Sequence, residues 1–278
     1  MMKIGFHVSV SKGFDSTLRE AERLGCEAVQ IFVKNPRSWA GKTLRDEEIE
    51  AFKRLSEKMP VFAHLSYLPN LAQTDAEARH MQGLLNELEL CRRLGIGSMV
   101  VHCGSREDKK KGVEIVAETL NRALDKFDIQ ILLETAAGQG NAIGSRIPEL
   151  AAIHDKVERK ETVALCLDTS HMFESGYDLR SQKAWNDIIR SVGQYMGKEK
   201  IGLFHLNDSK TDLGSRVDRH WHIGEGKIGT RTFGFILKDK RFAGLCGVME
   251  TPKTGSMDEI NMRTMKSLLS PLMSRSFA

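Results

Sequence analysis

The sequence predicts an α/β fold, a closed (β/α)8 TIM barrel formed as a single domain over residues 1–278. Two observations carry this. Eight short apolar, strand-like runs alternate with stretches of helical periodicity, the pattern of parallel strands joined by crossover helices. No low-complexity segment, long linker or shift of composition divides the chain, and barrels of this length are commonly one domain.

The elements follow in order. Residues 3–8 read as a strand running into His7 and Ser9, and residues 14–24 as a helix with Leu18, Ala21 and Leu24 on one face, stopped by Gly25. Residues 27–33 form a second strand, followed by a loop, Asn35 to Trp39, and a helix over 49–58. Residues 60–64 form the third strand, and 76–94 a long helix with Met81, Leu84, Leu85, Leu88 and Cys91 at helical spacing. Strand 98–101 leads to helix 113–127, strand 129–133 to helix 147–157, and strand 163–167 to helix 184–196. Strand 201–206, a helix around 233–237, strand 245–249 and helix 257–269 complete the barrel before a short polar tail.

Composition excludes some classes. With 41% hydrophobic and 28% charged residues, the chain can bury a sizeable core. A formal net charge of +4 is a mild excess that suits a polyanionic partner. The five cysteines are scattered, odd in number and without a CxxC pair, which points to buried, reduced thiols and a cytoplasmic location. The N-terminus lacks a secretory pattern, and no stretch approaches the roughly 20 apolar residues of a membrane span.

Polar residues concentrate where the predicted strands end. His64, His102, Glu134, Asp168, His171, His205 and Glu250 stand at or just beyond strand C-termini, and Asp218 and His220 lie in the loop after the seventh strand. In a (β/α)8 barrel those ends converge on one rim, where active sites are built. Imidazole and carboxylate suit zinc, manganese or iron(II). Five histidines and four carboxylates exceed the four ligands of one tetrahedral zinc and fit two or three ions that share a carboxylate. In an extended segment Asp218, His220 and His222 would face one way, which leaves His222 open as a substitute ligand beside His220. His80 and His154 fall inside helices and read as surface or packing residues; the GQGNAIG stretch lacks the order of a phosphate-binding loop. Cys103 adjoins His102 but points to the other face of its strand.

Several segments occurring together carry a more specific signal: HVSVSKGF, FVKNPRSW, HLSYLPNL, VHCGS, LLETAAGQGNAIG, LCLDTSHMFESGYDL, FHLNDSK, GSRVDRHWHIGEGKIG and METPK. On these, over almost its whole length, the chain resembles endonuclease IV, the metal-dependent apurinic/apyrimidinic endonuclease family of base excision repair. The departures are Cys103, where the family usually has proline, and Leu65, where polar or small residues are frequent.

The resemblance implies three zinc ions, with manganese or iron replacing some of them. His64, His102 and Glu134 would hold the first; Glu134, Asp168, His205 and Glu250 the second; His171, Asp218 and His220 the third. Glu134 would be the bridging catalytic centre, and Glu250 would also assist proton transfer. Arg37, Tyr67 and Leu68 match residues that penetrate the duplex at the lesion, while His7, Ser9 and Gln30 would support the ligands from the same rim. The implied substrate is duplex DNA with an abasic site, or with a blocked 3′ end that is trimmed. The implied reaction is hydrolysis 5′ to the lesion, giving a 3′ hydroxyl and a 5′ deoxyribose phosphate. A monomer acting in the cytoplasm, at the nucleoid if the source is prokaryotic, is expected. The rivals are a sugar isomerase or epimerase on the same barrel, and a non-catalytic lesion binder.

Overall fold

The computed structural model describes residues 1–269; the polar tail expected beyond the last helix lies outside the described residues. Seven parallel strands come first: β1 (Lys3–His7), β2 (Ala28–Phe32), β3 (Val61–His64), β4 (Ser98–Val101), β5 (Gln130–Glu134), β6 (Val163–Asp168) and β7 (Ile201–His205). A small hairpin, β8 (Asp208–Ser209) and β9 (His220–Trp221), precedes the last barrel strand, β10 (Cys246–Met249). The barrel closes as β1-β10-β7-β6-β5-β4-β3-β2, every pair parallel.

The helices are α1 (Phe14–Leu24), α2 (Asp46–Lys58), α3 (Ala78–Leu94), α4 (Lys109–Leu124), α5 (Ile147–Lys156), α6 (Thr169–Glu174), α7 (Gln182–Tyr195), α8 (Thr230–Leu237) and α9 (Met257–Leu269). Where their starts differ from the apolar pattern, local polar chemistry is the reason. Helix α2 begins at Asp46, because an acidic first turn complements the helix dipole and Glu48 accepts the Arg45 N–H at 3.2 Å. Helix α4 begins at Lys109, because Asp108 caps it by accepting from the Lys111 N–H at 3.0 Å. Two elements escaped the apolar pattern altogether: α6 is a short, fully buried helix of six residues with only Met172 and Phe173 apolar, and the hairpin strands are two residues each. Among the described residues no helix is long and apolar enough to cross a membrane.

The core has two parts. One lies between strands and helices; the other fills the barrel interior with Ala28, Val100, Leu132, Ala164, Cys166, Leu203, Cys246 and Val248, joined by Phe62. All five cysteines are buried and unpaired. The interior positions a site directly, because side chains two apart on a strand share a face. Two residues further towards the C-terminus, Ala28 is followed by Gln30, Phe62 by His64, Val100 by His102 and Leu132 by Glu134. The same step leads from Cys166 to Asp168, Leu203 to His205 and Val248 to Glu250. On β1, Gly5 occupies the inner position below His7 because a Cβ there would lie 1.7 Å from the Ala28 carbonyl oxygen. Each strand thus ends its inward column in a polar group, and the apolar plug beneath them forms a dry floor.

Candidate metal centre

The columns bring the polar groups into contact. His64, His102 and Glu134 form one group; Glu134, Asp168, His205 and Glu250 form another; Asp168, His171 and His220 form a third. In the first, Glu134 Oε2 lies 3.0 Å from His64 Nε2 and 3.4 Å from His102 Nε2. In the second, His205 Nδ1 lies 2.9 Å from Glu134 Oε1, 3.2 Å from Glu250 Oε2 and 3.6 Å from Asp168 Oδ2. In the third, His171 Nε2 lies 3.2 Å from His220 Nε2, and Asp168 stands where the sequence reading put Asp218, whose Oδ1 borders the group at 3.4 Å from His171 Nε2 and 3.8 Å from His220 Nε2. Ligand atoms at about 2.0–2.1 Å from a tetrahedral zinc stand roughly 3.3–3.4 Å apart, so these spacings fit the ion. Asp168 Oδ2 is also 3.5 Å from His220 Nε2, which places it between the second and third groups as well as Glu134 between the first and second.

The outer hydrogen bonds select which nitrogen each ring offers. His64 Nδ1–H donates to the Leu65 carbonyl at 2.7 Å, His171 Nδ1–H to the Thr135 carbonyl at 2.8 Å, and His220 Nδ1–H to the Glu250 carbonyl at 3.3 Å. Each leaves an Nε2 lone pair facing inward. His205 is turned the other way: its Nε2–H donates to Gln30 Oε1 at 2.8 Å, so Nδ1 faces the carboxylates. The Gln30 amide then donates to Glu250 Oε1 at 2.6 Å, and His7 Nδ1–H donates to the same oxygen at 3.1 Å. His171 Nε2 and His220 Nε2 therefore face each other across 3.2 Å, an approach of two ring nitrogens that needs a proton or a cation between them.

Electrostatics agree. Burial works against the charge on Glu134, but His102, His205 and His171 outweigh it and hold the carboxyl well below its ordinary value. Glu250 is likewise held well below its ordinary value, burial being overcome by His205 and His7. Burial opposes a charged His171, yet Asp168, Asp218 and Glu134 raise it well above the ordinary imidazole value; His205 is raised against burial by Cys166, Glu250 and Glu134. Burial lowers His102 and His7. The carboxylates are thus ionised, and the protons they hold on His171 and His205 occupy positions a metal ion would take.

Residues outside the predicted set hold this centre. Asn207 donates to Asp168 Oδ2 at 2.7 Å and accepts the Glu250 N–H at 2.7 Å. Thr135 exchanges hydrogen bonds with the backbone of Asp168, and Asp168 Oδ1 caps α6 by accepting the His171 N–H at 2.9 Å. The loop carrying Asp218 and His220 folds over Glu174, whose Oε1 accepts from Ser170 Oγ, Ser209 Oγ, Thr211 Oγ1 and the Arg219 N–H. Asn207 stands two residues past His205 in the motif LND; Glu174 has no signal of its own in the sequence.

An open cleft of about 520 Å³ above the centre is lined by Arg37, Tyr67, His102, His220, Glu250 and Lys253, among others. Arg37 is exposed, Tyr67 is 59% exposed, and Leu68 is half-buried outside this lining. Lys253 adds a cation absent from the sequence-based set.

Two predicted supporting residues are not where that role needs them. Ser9 is exposed and bonded to Ser11, away from the ligands. His222 is buried against Thr254 Oγ1 at 3.0 Å and Asn261 Nδ2 at 3.3 Å, so it does not join the third group. The extended alignment of 218, 220 and 222 fails because only His220–Trp221 is strand. His80 and His154 are both buried packing residues rather than surface ones, and Cys103 packs in the outer core.

Comparison with known proteins gives three results. A profile of the family described as xylose isomerase-like TIM barrel matches residues 18–268. A probable endonuclease 4 of Chloroflexus aggregans is 38% identical, covering 97% of this chain and 98% of its own length, and an apurinic-apyrimidinic endonuclease of Caenorhabditis elegans is 36% identical over 90% of this chain and 66% of its own. The crystal structure of endonuclease IV from Thermus thermophilus superposes with a TM-score of 0.85 at 34% identity, covering 96% of this chain and 98% of that one.

Proposed function

Because the chain belongs to the endonuclease IV family of DNA-repair apurinic/apyrimidinic endonucleases, hydrolases acting on DNA phosphodiester bonds, we propose that its rim holds three zinc ions and cuts duplex DNA 5′ to an abasic site. The first ion is assigned to His64, His102 and Glu134, the second to Glu134, Asp168, His205 and Glu250, and the third to His171, Asp218 and His220. The observation that carries this reading is the approach of His171 Nε2 to His220 Nε2 at 3.2 Å beside Asp218, next to two further groups that share Glu134. A sugar isomerase or epimerase normally needs one or two ions and would leave such a third group without a purpose. Manganese or iron(II) suits the same donors.

The bound ions would supply Lewis acidity, lowering the pKa of water and neutralising phosphate charge. The chain does the rest. Glu134 presents one oxygen to each of two donor groups and so fixes their separation. Glu250, held by Gln30 and His7 while facing His205, is placed to carry a proton during attack. Arg37 and Tyr67 border the cleft and are assigned to the gap left by the missing base, with Leu68 beside them, Arg37 meeting phosphate and Tyr67 stacking. A nucleotide without a base costs least to unstack, which favours the lesion over normal DNA. The products are a 3′ hydroxyl and a 5′ deoxyribose phosphate, and trimming of blocked 3′ ends follows from the same centre. We assign the protein to the cytoplasm, as a monomer.

The test is nicking of a duplex with one synthetic abasic site, with and without prolonged chelation, beside Glu134→Gln. Nicking 5′ to the lesion that disappears with metal or with Glu134 supports the reading. Failure of the fully metallated wild-type protein to nick overturns it.

A further inference from the structure

The two loops assigned to the lesion, residues 34–39 and 65–70, are joined to each other and to one face of α3. The Tyr67 N–H donates to the Pro36 carbonyl at 3.2 Å, a direct backbone bond between them. On α3, His80, Gly83 and Glu87 stand three and four residues apart, hence on one face. His80 Nδ1 accepts the Asn70 N–H at 3.2 Å, and its ring lies 5.6 Å from that of Trp39. Gly83 leaves room for both loops at once: a Cβ there would lie 3.0 Å from Pro69 and 3.1 Å from Trp39.

Glu87 completes the stripe. Its side chain is fully buried; Oε2 accepts the Ser66 N–H at 3.0 Å, and Oε1 accepts from Ser66 Oγ. The buried Lys34 Nζ lies 3.8 Å from Oε1 and donates to the carbonyls of Asn35 and Ser38, bracing the loop that carries Arg37. One carboxylate therefore grips the residue before Tyr67 and the lysine beneath Arg37. A buried carboxylate without these partners would be strongly disfavoured, so the grip holds both loops to a single geometry.

We propose that Glu87, with Lys34, is a positioning residue for lesion recognition, which makes the two loops present Arg37 and Tyr67 to the duplex as one unit. This rests on the functional reading above. It places a determinant of substrate binding on the outer helix layer, outside the set of metal donors.

The test uses the full-length metallated protein and a duplex with one synthetic abasic site. The variants are Glu87→Gln, which keeps volume and an acceptor for Ser66, and Lys34→Met, which keeps the apolar stem. KM, kcat and zinc content are measured for each, alone and in an Arg37→Ala/Tyr67→Ala background. The expected result is a KM raised about tenfold, with kcat within about twofold and zinc unchanged, because small misplacements of binding groups have effects of this order. In the Arg37→Ala/Tyr67→Ala background the same substitutions should raise KM no further, since groups acting through one another are not additive. If one variant fails to fold, the other carries the test. Unchanged KM, a loss confined to kcat or zinc, or effects that multiply in that background would overturn the proposal. Absence of nicking by the wild-type protein would instead overturn the functional reading.

Discussion

Two carboxylates at the rim, Glu134 and Glu174, are equally inaccessible to solvent and are shifted in opposite directions. Glu134 lies among imidazoles from β3, β7, α6 and the residue after β4, and His102, His205 and His171 hold it well below the ordinary carboxyl value against burial. Glu174 is surrounded by hydroxyls and a backbone amide: burial raises its pKa, and its Oε2 has no partner among the described residues. Burial opposes the charge in both; the neighbours decide which way the net shift runs. The first carboxylate is an anion set to attract cations. The second is a hub of neutral hydrogen bonds that shapes the loop carrying Asp218 and His220.

The largest break of this contrast removes the charge of Glu134. Glu134→Gln keeps the volume but takes the anion from two donor groups; nicking should fall by about 10³-fold, the scale of removing a central electrostatic group. Zinc content, read by atomic emission, should fall with it. A variant that kept all its zinc would show that Glu134 is not shared. Asp218→Asn touches only the loop-borne group. We expect one zinc lost per chain, two retained, and nicking lower by about 10²; loss of all metal would mean that the groups do not load independently.

These unequal effects mirror what was legible in the sequence. The strand-borne donors could be picked out by position, because a strand ends abruptly in a polar residue and the barrel brings all such ends together. His7 and Gln30 were visible for the same reason, each closing an inward column. Loops obey no such period. His222 sits two residues from His220 yet packs on Asn261, and Ser9 follows β1 by two residues yet turns to Ser11. Lys34 and Glu87 meet only because α3 lies against the loop after β2, a contact between residues 53 positions apart. Nothing local in either segment announces that pairing.

The pH dependence of stability sharpens the comparison. In chelated protein, Glu134 and Glu250 have depressed values, so their contribution is present above about 4.5 and is lost as pH falls through the lower folded values. His171 and His205 are raised, so theirs is complete below about 6.5 and is lost as pH rises through the higher folded values. Chelated protein should therefore lose Tm from pH 7 to pH 9, while zinc-loaded protein, whose imidazoles are neutral ligands, should not. Thermal melts of both forms across this range decide it. Parallel curves would mean that the imidazolium–carboxylate contacts contribute nothing.

The smallest effect is expected at Glu174. A carboxyl with a raised pKa favours the folded state at low pH, and that contribution is lost as pH rises through the folded value, so ionised Glu174 is a liability above that value. Glu174→Gln keeps the oxygen that accepts from Ser170, Ser209, Thr211 and Arg219 and removes the charge. Zinc content should stay at the wild-type level, nicking should change by no more than about threefold, and Tm at pH 9 should equal or exceed that of the wild type. Glu174→Ala removes the acceptor too and frees the Arg219 N–H beside Asp218; loss of a partner at this remove from a metal costs about tenfold in metal affinity or activity. If Gln and Ala behaved alike, the hydrogen bonds would be irrelevant and the charge would matter. If Gln matched the wild type and Ala alone lost its third zinc, Glu174 would act through geometry, while Glu134 acts through charge.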